Sequence, residues 1–131
     1  MIQCGRYQCF MKCMLPDEPD TVLCGYTQKQ LEFWQNSEGE FWKYLISTNV
    51  ETAQKSETIL FSTDYMLQKR FLDDGPFTTI FSKESPARIG QWIGFKIVES
   101  FMQNNPNVTL NDLFAITSSK EIMSLAKYNP K

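Results

Sequence analysis

Four cysteines and no histidine bound the chemistry open to this 131-residue chain. Cys4, Cys9, Cys13 and Cys24 form no C-x-x-C pair, so their spacing supports neither a zinc site nor a disulfide framework. Cys9 and Cys13 stand one helical turn apart, which suits two buried thiols packing as small hydrophobes. Without histidine, the usual base for a serine or cysteine nucleophile is missing, and so is H-E-x-x-H zinc chemistry. The carboxylate pairs Asp73–Asp74 and Glu38–Glu40 fall in polar, helix-end patterns and read as solvated charge. Gly90-x-x-x-Gly94 is no dinucleotide fingerprint, because it lies inside a helical pattern and not at a strand-to-helix turn. We therefore expect no catalytic residue, no metal and no cofactor.

The remaining candidates lie in "SPARIGQWIGFKIVESFM", residues 85–102. Ser85 reads as a helix cap, and Pro86 takes the first helical position, where its missing N–H does no harm. The helix is expected to run to about Asn104, before Pro106. Arg88 then falls in the first turn, where a cation opposes the helix dipole unless a carboxylate or ligand meets it. Glu84 or Asp74 could supply that carboxylate; an anionic group of a substrate or partner protein is the other reading. Gln91 and Trp92 flank it and complete the candidate interaction site. Gly90 and Gly94 share a face, and each costs the helix about 1 kcal/mol relative to Ala. Two missing side chains let another backbone come close, so this is expected to be the central packing helix.

Other elements must hold that helix. Residues 1–15 start apolar, with Ile2, Cys9, Phe10, Cys13 and Met14 as the expected inner side, and the turn "PDEPD" stops them. Thr27 to Gln30 is a capping box opening an amphipathic helix to about Ser47, with Leu31, Trp34, Phe41, Trp42, Leu45 and Ile46 at helical spacing. Residues 48–58 read as a loop or weak helical link. Thr63 is expected to cap a helix over 64–73, and Phe77, Ile80 and Phe81 to tuck inward from an irregular connection. Thr109–Asp112 and Ser118–Glu121 read as further capping boxes opening two short helices, to Ala115 and to residue 127. The pattern is all-α: a single compact, orthogonal array of five to six helices over residues 1–131.

Composition agrees. The chain is 42% apolar and 14% aromatic, enough to build a core and to argue against disorder. A net charge of -2, from 13 basic and 15 acidic residues, lacks the basic field that nucleic acid requires. No apolar run is long enough to span a bilayer, and the first 15 residues do not form a secretory signal. From these residues alone the chain is expected to be cytoplasmic, and its uncapped start suggests a larger parent.

"ESPARIGQWIGFKIVESFMQNNPNVTLNDLF" resembles the C-terminal signature of the gliding-motility-associated lipoprotein GldB family of Bacteroidetes. "MIQCGRYQCFMKCMLPDEPDTVLCGYT", "QLEFWQNSEGEFWKYLI" and "FLDDGPFTTIFSKESP" are similar in order. The resemblance implies the C-terminal half of a zincin-like lipoprotein domain, without the signal, the lipidated cysteine and the first half. It further implies a non-enzymatic role in the cell envelope through protein partners, with membrane attachment only by a lipid anchor. A helical subdomain of a zincin-like metallopeptidase is the alternative, with Arg88, Gln91 and Trp92 walling a cleft. Residues 85–104 would then close against the missing half, leaving apolar surface of residues 1–15 or the Gly90/Gly94 face uncovered.

Overall fold

The computed structural model describes residues 1–47, 49–51, 56–58, 69, 72 and 88–130. Among the described residues the fold is all-α, with six helices. They are α1 (Ile2–Met14), α2 (Asp20–Cys24), α3 (Gln28–Ser47), α4 (Ile89–Asn104), α5 (Leu110–Ala115) and α6 (Ser119–Ala126). Residues 48–58, expected as a loop or helical link, instead include a small antiparallel hairpin of β1 (Asn49–Glu51) and β2 (Ser56–Thr58). Its ladder pairs Val50 with Glu57. Such pairing is a contact between separate stretches and leaves little trace in a polar composition.

Local signals set most helix ends. At the start of α3, the Thr27 N–H donates to Gln30 Oε1 at 2.9 Å and the Gln30 N–H to Thr27 Oγ1 at 3.3 Å. The same reciprocal pair joins Thr109 and Asp112 at α5. At α6 only half of the expected box forms: Ser118 Oγ accepts the Glu121 N–H at 3.4 Å. The acidic turn after α1 leads into a short helix not expected from the sequence, α2, which follows Pro19 and stops at Gly25 in the left-handed region.

α4 is the central helix. Ile89, Gly90, Trp92, Ile93, Gly94, Phe95, Ile97, Val98 and Phe101 are buried, so it is covered on more than one side, while Lys96, Glu99 and Ser100 are half-buried and Gln103 is exposed. It packs chiefly against α1 and α6. Trp34, Phe41 and Leu45 of α3 fill the layer beside it, and Leu113 and Ile122 close the far end. α1 crosses α4 at Gly5 and Gly94, where the two backbones touch. Of the two surfaces expected to be left uncovered, the Gly94 side of α4 is occupied by this chain's own first helix.

α1 rotates differently from expectation. Ile2, Gly5, Arg6 and Cys9 face inward, while Phe10, Cys13 and Met14 are exposed. The reason is Gly5: a backbone-to-backbone crossing needs the residue without a side chain at the contact, which turns Phe10 and Met14 away. Ser85 and Pro86, the helix expected over 64–73, and Phe77, Ile80 and Phe81 lie outside the described residues.

Candidate functional site

Arg88 does not lie in the first turn of α4. It is the residue before the helix, with φ 61° in the left-handed region, and Ile89 begins the helix. Its Nη2 donates to the Gly25 carbonyl at 2.9 Å, and its guanidinium lies 5.3 Å from the centre of the Tyr26 ring. Gly25 is itself left-handed, at φ 68°, and a Cβ there would stand 3.0 Å from Nη2. Arg88 thus ties the entry of α4 to the α2–α3 corner. Burial pushes the Tyr26 phenol well above its ordinary value, and the Arg88 charge opposes that rise.

Gln91 Nε2 donates to the Leu72 carbonyl at 2.8 Å. Trp92 is 2% exposed, lies nearly parallel to Trp34 with ring centres 6.3 Å apart, and carries Lys96 at 5.9 Å from its ring centre. The structure brings Arg88 and Gln91 to the end of one helix, each holding a backbone carbonyl, and sends Trp92 into the core. Gly94 takes the backbone contact; Gly90 is buried beside it.

A polar groove of about 430 Å³ runs between α3, α4 and residues 127–130. Lys127, at φ 50°, turns the chain back so that Tyr128 packs edge-on to Trp42, ring centres 4.9 Å apart, and its hydroxyl donates to Glu38. Burial, and then that carboxylate, push the phenol far above its ordinary value. Glu99 accepts from Lys96 at 3.1 Å and from Lys12 at 3.3 Å, and Lys12 also reaches Asp20 at 3.2 Å. Desolvation lowers the Lys12 value, but Asp20 and Glu99 together outweigh it and raise it. Both groove carboxylates therefore have partners, and no group of three or more His, Cys, Asp or Glu is placed to hold a metal among the described residues.

The third feature is apolar surface within residues 1–15, one of the two surfaces expected to be left uncovered, though Phe10 and Met14 were expected on the inner side. Tyr7, Phe10, Met11 and Met14 form a stripe on the outer side of α1, 42–56% exposed, with Leu15 and Phe114 at its margins. Phe114 of α5 meets Tyr7 and Phe10, with ring centres 6.2 and 6.3 Å away. Arg6 flanks the stripe at 5% exposure; its Nε has no hydrogen-bond partner, and no carboxylate pairs with it among the described residues. Burial pulls this guanidinium below its ordinary value. One signal for the stripe stood in the sequence: α1 carries more large apolar residues than one helix face holds.

These features define, among the described residues, a small all-α fold with an open polar groove and a partly exposed apolar side on α1. The chain belongs to the family described as gliding motility protein GldB, whose model matches residues 1–130. It is therefore a member of a gliding-motility lipoprotein family. No curated protein and no solved structure matches it. Among the described residues, no helix is long and apolar enough to cross a membrane.

Proposed function

We propose that the protein is a non-enzymatic component of the cell envelope that serves gliding motility through protein–protein contacts. The observation carrying this reading is the exposed stripe of Tyr7, Phe10, Met11 and Met14. Contiguous apolar surface of this kind on a folded domain marks an interaction site. The chemistry of the groove supports the same reading, since its two carboxylates are bound to cations or a phenol and neither stands ready as an acid or base.

The test is replacement of the gene in its host. Phe10→Glu and Met14→Glu should abolish surface motility while the protein keeps its normal level and fractionates with the envelope. Glu38→Gln and Lys96→Ala, in the groove, should leave motility intact. Motility that survives both charged substitutions on α1, or that depends on the groove instead, overturns the reading.

A further inference from the structure

We infer that the polar groove between α3, α4 and residues 127–130 binds a neutral saccharide. The inference goes beyond the motility reading, which leaves the groove without a role.

The outer wall of the groove is held in a fixed shape. Lys127 turns the chain at φ 50°, a left-handed conformation that costs a residue other than glycine roughly 1–2 kcal/mol. Three side chains from the end of α4 secure the chain just before that turn. Ser100 Oγ donates to the Ala126 carbonyl at 2.9 Å, Asn104 Nδ2 to the same carbonyl at 2.7 Å, and Asn105 Nδ2 to that of Leu125 at 3.2 Å. Just beyond the turn, the Tyr128 hydroxyl is fixed on Glu38 of α3. Backbone of this kind persists where its surroundings over-determine it, and such positions cluster at ligand clamps and active sites.

The lining selects the ligand. The volume of about 430 Å³ falls within the range of small-molecule sites, but those are lined mainly by apolar side chains and this groove is not. Its charges balance, Glu38 and Glu99 against Lys96 and Lys127, so neither an anion nor a cation is favoured. Both carboxylates are already engaged. The groups left over are amides: Gln35, Gln103 and Asn129 line the groove, and their side chains make no hydrogen bond among the described residues. Each amide sets two N–H donors beside a carbonyl acceptor. That pairing matches the neighbouring hydroxyls of a sugar, each of which donates and accepts.

Tyr128 supplies the apolar surface. Its ring stands at 87° to that of Trp42, so Trp42 covers at most one of its faces. The half-buried ring therefore offers the groove a flat, electron-rich face for the C–H side of a sugar ring. A peptide is the poorer match. It is recognised through a sheet edge or through pockets for its side chains, and the described residues lining the groove include no strand and no Leu, Ile, Val or Met.

Amide NMR of the purified chain, titrated with maltose, lactose and chitobiose, tests the site, with blocked tri-alanine as the contrast. At least one disaccharide should bind with a millimolar dissociation constant and move the side-chain amide signals of Gln35, Gln103 and Asn129; tri-alanine should not. Gln103→Ala and Asn129→Ala alter exposed residues and should keep the wild-type melting temperature. Each should weaken binding by about fivefold, the loss of one hydrogen bond. Tyr128→Phe and Tyr128→Leu both lose the bond to Glu38, so their comparison isolates the ring: the first should bind as wild type does, and the second should not bind. Silence with all three sugars, tri-alanine binding in their place, or sugar binding that both amide variants leave untouched each overturns the inference. Binding is read on the isolated chain, so the outcome does not depend on the motility contact at α1.

Discussion

Gly5 and Gly94 meet backbone to backbone. A Cβ on Gly5 would stand 2.1 Å from the Gly94 carbonyl oxygen, and one on Gly94 would stand 2.1 Å from that of Met1. Side chains cannot absorb such an overlap, because the obstructing atoms belong to the main chain of a neighbouring helix. The crossing explains why α4 keeps a glycine in its interior and why α1 shows its large side chains to solvent.

Gly5→Ala and Gly94→Ala should each destabilise the fold by about 3 kcal/mol, at the upper end of overpacking effects. The gain in helix propensity, about 1 kcal/mol, offsets only part of the clash. Thermal melting should show a fall of about 10 °C for either variant. The double variant should lose less than the two single losses combined, because both act on one contact. Melting points at or above wild type would show that the helices can part without cost.

Arg88 carries two roles that substitution separates. Arg88→Ala should cost about 2 kcal/mol, from the lost bond to the Gly25 carbonyl and the lost contact with Tyr26. Arg88→Gly should be milder by about 1 kcal/mol, since only glycine holds a positive φ without strain. Urea unfolding of the pair checks both the sign and the order.

The buried thiols make stability depend on alkaline pH. Burial pushes Cys9 and Cys24 up to about 11 from the ordinary 9.0. The folded state therefore holds these protons more tightly than the unfolded chain does. Their contribution is complete below about pH 9 and is lost as pH rises towards 11, at roughly 1.4 kcal/mol per pH unit for each thiol. The urea midpoint should fall across that window, and Cys9→Ala/Cys24→Ala should flatten the fall. In the native protein at neutral pH, iodoacetamide should modify exposed Cys13 and spare Cys9 and Cys24.

The two C-terminal caps differ in completeness, and their substitutions should differ too. Thr109→Ala removes a reciprocal box and should cost about 1–1.5 kcal/mol; Ser118→Ala removes one 3.4 Å bond and should cost about 0.5 kcal/mol. Equal losses would show that the Glu121 side chain contributes unseen.

How much of this was legible depended on the range of the interaction. By itself the sequence determined the helical class, the capping boxes at Thr27 and Thr109, the end of α4 before Pro106, and the central place of the helix with Gly90 and Gly94. Those features rest on bonds between residues three or four apart, or on the period of apolar positions along one helix. The family resemblance was also readable, since it lies in the order of residues. Only the tertiary structure decided which glycine takes the contact, that its partner is Gly5, and therefore which side of α1 is buried. An apolar helix with residues on both sides has no preferred rotation until a neighbour occupies one of them. The same holds for Arg88, whose partner lies 63 positions away, and for Tyr128 and Glu38, 90 apart. Such pairs are made by the packing of α4 against its neighbours, and no local pattern encodes them.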